Sequence, residues 1–466
     1  MTSGLESWPQ LTLLLRLHDH SLTNLWDPKM PARILLPLLA FLLVACSDPG
    51  ADPDPTDDAG VNEDTAHQND AQGDPDADTD PDPDTDPDAD TDPDDDEFAD
   101  LIDRPELPEH LEGFCAPESY RVRDLGLPDL RGPEDFAHQR YIDPEAAAGG
   151  DGSLEAPFLS WDEARPLQSD TAYLQRRGTE IVLTSPVELT AGNILVGAYG
   201  EGPRPVLQAH PDLGSRMVNI ASNDNVVRDL HLYVDEETHD DLVADDFIHQ
   251  GYHGISTPYI AEPGSPNQPA RNVIYNNVLY RSVLLHWGRE VRILHNDVFF
   301  THQNGMFLQN AEHVEVAYNR IIHPNHSFHL FEGPEICDQT ICWGDGIQFS
   351  RVHHWYVHNN FIDRADTPNK ATFIARIEST TPAAEPHYFE CNTLRGPPGD
   401  NNRMLFVGWN MDNLVYQYNY LLGPSGSALW SHSAIDFSHN VIEGPLTSTE
   451  IFCEGDCRLE DNHRVP

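Results

Sequence analysis

The chain has 466 residues, 78 of them Asp or Glu against 27 Lys or Arg, for a formal charge of −51 at neutral pH. With no basic stripe along it, this balance excludes nucleic acid as a partner, since phosphate recognition needs clustered cations. The length allows one large core, but the acid is unevenly spread, so tether and folded body must be read separately.

Residues 1–29 carry no pattern and precede a second methionine, Met30; they read as an over-extended start with no fold of its own. From Met30 follow a basic start (Arg33), an apolar run Ile34–Val44 and the end Leu43-Val-Ala-Cys46, a secretory signal over 30–46 too short for a membrane span. Leu43-Val-Ala-Cys46 resembles the bacterial lipobox. The resemblance implies that Cys46 is lipidated and becomes the mature N-terminus, and that Ser47 favours the outer membrane. The expected protein is a monomeric cell-envelope lipoprotein facing the exterior or the periplasm, held to the membrane through its lipid alone.

Residues 47–100 form a disordered linker. Between Asp48 and Asp100 stand 23 acidic residues and no Lys or Arg, and self-repulsion and proline keep such a chain extended. Its Asp-x-Asp runs offer the hard oxygens that Ca²⁺ takes, which makes calcium the one cofactor to consider. No Asp-x-Asp-x-Asp-Gly…Glu loop fixes a site, and the linker reads as a spacer.

The folded domain is expected over 101–466, with six cysteines at 115, 337, 342, 391, 453 and 457. In an exported chain the close pairs Cys337–Cys342 and Cys453–Cys457 read as disulfides, the first stapling a loop tip and the second pinning the C-terminal end. Zinc would need a matching second pair, and none lies nearby. Cys115 and Cys391 have no evident mate. Trp161–Leu167 is expected to form a short amphipathic helix that plugs the N-terminal end.

Beyond residue 270 one pattern recurs, apolar-x-apolar-x-x-Asn-x-apolar: Val291, Ile293, Asn296, Val298; Val314, Val316, Asn319, Ile321; Trp355, Val357, Asn360, Ile362; Leu414, Tyr416, Asn419, Leu421; Ile435, Phe437, Asn440, Ile442. Looser copies end at Asn277 and Asn392. Gaps of 19, 23, 41, 32, 27 and 21 residues between the asparagines suit a solenoid whose loops vary. Each Asn, flanked by strand on both sides, is expected to take the left-handed bend and to stack its amide on the next coil. An antiparallel sandwich is the competing fold, but it would place hairpin signals between its strands, and the leucine-repeat consensus is missing.

Tyr141-Ile-Asp-Pro144, Gly149-Gly-Asp-Gly152, Ala156-Pro-Phe158, Trp161 and Gly197-Ala-Tyr-Gly-Glu-Gly-Pro-Arg-Pro-Val206 resemble the opening segment of secreted right-handed parallel β-helix proteins, the pectate-lyase-like superfamily. With the asparagine rungs the resemblance spans roughly 141–445. It implies an all-β solenoid, and it implies chemistry only weakly, because many activities share this architecture.

If the coil order follows that superfamily, a third strand of each coil lines a groove: His253–Thr257, Val283–Trp287, Gly305–Gln309, Gly346–Ser350, Thr372–Glu378, Met404–Trp409 and Ala428–His432. Counting back six residues from each rung makes Leu285, Leu308, Phe349 and Leu429 inward. His286, Gln309, Gln348 and Trp430 then face outward, joined by Arg376 and Trp409. Indoles stack on sugar rings, amides bond hydroxyls and Arg pairs with a uronate carboxylate, so an acidic polysaccharide is the expected ligand. A lyase acting on it needs a base and a neutralising cation. Lys370, the folded region's single lysine, and Arg376 fit those roles, with His302 a second candidate base and Asp345 a candidate metal ligand. The paired Asp and Gly-His-Gly of the polygalacturonase branch are absent, and so is a recognisable alginate-lyase spacing. A non-catalytic adhesin or envelope scaffold is the alternative reading. His323, His326 and His329, near Asp338, read as loop histidines rather than a metal site.

Overall fold

The computed structural model describes residues 115, 123, 125–214, 216–235, 253–260, 264–301, 304–324, 345–364, 373–378, 386–396, 399–408, 411, 413–423, 425–444 and 451–465. All belong to the unit Asp90–Pro466. Cys46, the linker 47–100, Cys337 and Cys342 lie outside the described residues, as do Lys370, His302, Trp409, His326, His329 and Asp338.

Short strands of alternating apolar residues pair in parallel, each with its counterpart one coil away, into sheets of 12, 11 and 10 strands. We name these A, B and C. One coil runs Glu312–Ala317 (sheet A), Arg320–Ile322 (sheet B), then Ile347–Ser350 (sheet C). Alternation gives every strand one inward face, and the inward residues stack by register from coil to coil. On sheet C one such column is Leu284, Met306, Ile347, Ala375, Leu405, Leu429 and Ile451. Each fully buried Leu or Ile contributes about 2 kcal/mol of transfer free energy. A coil has no second layer of its own to bury against, so stacking supplies it.

The corner between sheets A and B is the asparagine ladder. Asn319 Oδ1 accepts from the backbone N of Asn296 at 2.9 Å and from its Nδ2 at 3.0 Å; Asn319 Nδ2 donates to Ile293 O and to Asn360 Oδ1, both at 2.9 Å. The same bonds link 277, 296, 319, 360, 392, 419 and 440, and the column continues to Asn462, which the repeat pattern did not reveal. The left-handed residue is not the Asn but the one before it: Asn276, His295, Tyr318, Asn359, Cys391, Tyr418 and His439 have φ between 54° and 59°. Asn is therefore selected for its amide, while the strained position carries diverse side chains. A shorter ladder at the other end of sheet A joins Ile194 N to Asn225 Oδ1 and Asn225 N to Asn272 Oδ1, at 3.0 and 2.9 Å.

The expected capping helix is absent; no α-helix occurs among the described residues. Pro166 lacks an N–H and disfavours helical backbone at Arg165, so 161–164 make turns only. The plug itself is present. Trp161, Ala164 and Leu167 are buried in the core, and Trp161 Nε1 donates to Gln175 Oε1 at 2.8 Å. At the other end Cys453 and Cys457 are disulfide-bonded.

A segment ahead of the first coil lies along sheet A. Arg123 donates to Glu390 at 2.8 Å and sits 3.2 Å over the Tyr388 ring. Pro128 O accepts from Arg292, and Arg131 O from Arg228, each at 3.2 Å. The strap therefore runs backward along the stack before the chain turns into His138–Ile142.

Candidate functional site

The strands expected to line a groove form sheet C. They span His253–Ser256, Val283–His286, Met306–Gln309, Ile347–Ser350, Phe373–Glu378, Gly399–Val407 and Ser425–Ser431, adjacent in that order. Inward and outward residues alternate, so the outer face can be read from the register. One outward column runs Leu285, Phe307, Gln348, Arg376, Phe406, Trp430 and Phe452. Gln309 lies beside it, its Oε1 accepting from Trp287 Nε1 at 2.8 Å. Gln309, Gln348, Arg376 and Trp430 thus share the face assigned to them.

His286 does not. Its register partner is Leu308, an inward residue, and the imidazole is fully buried with neither ring nitrogen bonded. Leu285 takes the outward place. Leu308, Phe349 and Leu429 stand six residues before Val314, Trp355 and Ile435, whereas His286 stands five before Val291. The turn is one residue shorter here because residue 288 is glycine: a Cβ there would lie 2.1 Å from His286 Cε1 and 2.9 Å from Pro269 O.

Burial pushes the His286 imidazole down from 6.5 to about 3. His387, buried and stacked 5.1 Å from Trp355, is likewise pushed down to about 3. The unfolded chain takes up these protons first. The stability from keeping each ring neutral is therefore complete above pH 6.5 and is lost as pH falls toward 3. Between pH 7 and pH 5 each ring should cost about 2 kcal/mol of unfolding free energy. In His286→Leu the fall in the urea midpoint between those two pH values should be smaller than in the parent; an unchanged fall would show that His286 can be protonated in the folded state.

Along the N-terminal edge of sheet C, Asn304, Asp345, Gln348 and Arg376 converge. Asn304 Oδ1 accepts from Asp345 N at 2.8 Å, and Asn304 Nδ2 donates to Gln348 Oε1 at 2.9 Å. Asp345 Oδ2 is 3.9 Å from Arg376 Nη1. The fully buried Arg364 feels the same carboxylate, and its guanidinium is lowered to about 10 by burial, a fall that Asp345 opposes. A carboxylate that faces one guanidinium at 3.9 Å and acts electrostatically on a second is already partly compensated, which disfavours Asp345 as ligand to a divalent ion. Among the described residues the group with metal-binding geometry is Glu312, His313 and His354, with His354 Nδ1 and His313 Nε2 3.0 Å apart at the start of sheet A. Two imidazoles do not suit calcium.

At the C-terminal coils the outer face becomes aromatic. Trp430 stacks on Phe452 at 4.1 Å between centroids. Trp430 Nε1 donates to His432 Nε2 at 3.0 Å, so the imidazole hydrogen sits on Nδ1 and is given to Glu454 Oε2 at 2.6 Å. His432 and Glu454 were not foreseen; the signal for His432 was its place two residues after Trp430 on the same face. The surface therefore offers amides, one guanidinium held at 14% exposure and a stacked indole.

Compared by sequence, the chain matches no protein-family model and no curated protein. Compared by structure, it is similar to a lacto-N-biosidase from Eubacterium ramulus, with 13% identity, a TM-score of 0.50, and coverage of 70% of this chain and 68% of that one. The body is a right-handed parallel β-helix. Similarities at lower scores include XylC in complex with xylose (10% identity, 67% and 70% covered, TM-score 0.44) and the pectate lyase Pel9A (13% identity, 69% and 78% covered, TM-score 0.33). At these identities the likeness to the β-helix enzymes is one of fold.

Proposed function

We propose that the outer face of sheet C is a groove for an acidic extracellular polysaccharide, carried on a lipid-anchored, monomeric β-helix of the cell envelope. The observation that carries the reading is the column Gln348, Arg376, Phe406, Trp430, one residue from each of four successive coils. Adjacent parallel strands lie about 4.8 Å apart, close to the rise per sugar of an extended chain, so one pyranose per coil meets an amide, a guanidinium, a phenyl ring or an indole in turn. Arg376 supplies the planar fork that matches a uronate carboxylate. The lacto-N-biosidase to which the body is similar in fold makes a carbohydrate ligand consistent with this face.

Cleavage would need a base, for which Lys370 and His302 are the proposed residues. Binding without cleavage is the second reading, and one observation favours it: Asp345, Glu188, His432 and Glu454, acid–base groups of this face, are each engaged with protein partners. A uronate glycan panel separates the two readings. A lyase raises the ultraviolet absorbance of unsaturated uronate ends, and Lys370→Ala or His302→Ala lowers that rate at least 100-fold, the scale of a lost general base. Binding with no absorbance on any substrate would establish the adhesin or scaffold reading and remove the lyase.

A further inference from the structure

We propose that Cys115 and Cys391 are partners in a disulfide that clasps the strap, described at 115, 123 and 125–131, onto sheet A. The Cys115 thiol donates to Tyr418 O at 3.2 Å and also hydrogen-bonds the Cys391 thiol. Cys391 and Tyr418 occupy successive positions of the left-handed column beside the asparagine ladder, linked by Cys391 N to Gln417 O at 3.2 Å. Cys115 therefore lies at the step between the coils of Cys391 and Tyr418, within reach of both. The rest of the strap holds this placement: Arg123 is fixed on Glu390 and Tyr388, and Pro128 and Arg131 are bonded to Arg292 and Arg228. Two thiols brought together from distant parts of the domain, with Cys453 and Cys457 already bonded to each other, make a pair suited to a crosslink.

The two sulfurs differ in a way that orders the chemistry. Cys391 is buried at 6% exposure, and the neighbouring thiol together with burial raises it above the usual thiol range, so it is a poor first nucleophile. Cys115 is partly exposed. As thiolate it attacks an external disulfide, either a small-molecule disulfide or a disulfide oxidoreductase, and releases one external thiolate. Cys391, on losing its proton, then attacks the Cys115 sulfur and displaces the second external thiol. One S–S bond forms and one breaks. Two electrons pass to the oxidant, and the two protons end on its thiols.

The clasp fixes where the preceding chain leaves the body. A pull on the chain from its N-terminal side would then be borne by a covalent bond at Cys115 instead of by His138–Ile142. Reduction would leave the strap to its hydrogen bonds through Arg123, Pro128 and Arg131, with Arg123 still over the Tyr388 and Tyr356 rings, and so make its release easier.

The test is peptide mapping of the full-length protein without reductant, after equilibration with oxidised glutathione and blocking of free thiols. A crosslinked peptide pair holding Cys115 and Cys391 is expected; it should vanish on reduction and in Cys115→Ser. Trypsin should also cut within 115–131 at least ten times faster in Cys115→Ser or in the reduced parent. Recovery of both cysteines as blocked free thiols after oxidation, or of either one joined to Cys337 or Cys342, overturns the clasp. The mapping decides on the parent protein alone if the variant does not fold.

Discussion

Replacing Asn319 with alanine should lower the unfolding free energy by about 4 kcal/mol, whereas Asn462→Ala should cost about 1 kcal/mol. The difference lies in what each side chain leaves behind. Asn319 is fully buried, and its amide satisfies the backbone N and the side chain of Asn296, the carbonyl of Ile293 and the amide of Asn360. Alanine abandons these groups in a site that water does not reach, at about 1–3 kcal/mol for each one left unmatched. Asn462 ends the column at the partly exposed edge of the stack, where water can take over its bonds to Asn440. Urea midpoints of the two variants measure this directly. Equal losses would mean that the ladder is not a cooperative buried network.

The second large effect concerns the groove. Trp430→Ala should weaken binding of a uronate oligosaccharide about 30-fold, the loss of roughly 2 kcal/mol expected when a central aromatic contact is truncated. The fold should be little affected, because Trp430 points outward and the column beneath it, Leu405, Leu429 and Ile451, is untouched. Trp430→Phe keeps a flat ring but loses the N–H to His432, so it should recover most of the affinity if stacking dominates. Titration calorimetry of the three proteins gives the answer, and equal affinities would remove Trp430 from the site.

Much of this molecule could be read from the chain because a solenoid repeats itself. Asn277 through Asn440 announced the corner, and the spacing between rung and groove strand located the strands of sheet C. What failed was local to one coil or invisible to a repeat. Counting back six residues misplaced His286, since Gly288 shortens a single turn; the adjacent Leu284 and Leu285 left the parity of that strand undetermined. The left-handed bend was assigned to the asparagines when it belongs to their predecessors, because the pattern marks the corner but not the residue that turns it. Pro166 alone argued against the capping helix. The strap had no periodicity to betray it, and its contacts from Arg123 to Glu390 join distant parts of the chain that only a structure brings together.

The groove itself showed in sequence as residue types more than as geometry. Gln309, Gln348, Arg376 and Trp430 were legible from alternation. Asn304, which positions both Asp345 and Gln348, was not, because nothing in Thr301-His-Gln-Asn-Gly305 distinguishes a turn asparagine from one that bridges two coils. Arg364 was equally hidden, since a fully buried arginine next to a loop reads in sequence as an exposed one.

The most direct test of the groove is a two-by-two titration: a uronate oligosaccharide and its carboxyl-reduced counterpart, each against the parent protein and Arg376→Ala. Carboxyl reduction should weaken binding to the parent about 100-fold and leave binding to Arg376→Ala nearly unchanged, giving a coupling near 3 kcal/mol between guanidinium and carboxylate. Equal losses on reduction in both proteins, or no loss in either, would contradict the assignment of this face to an acidic glycan.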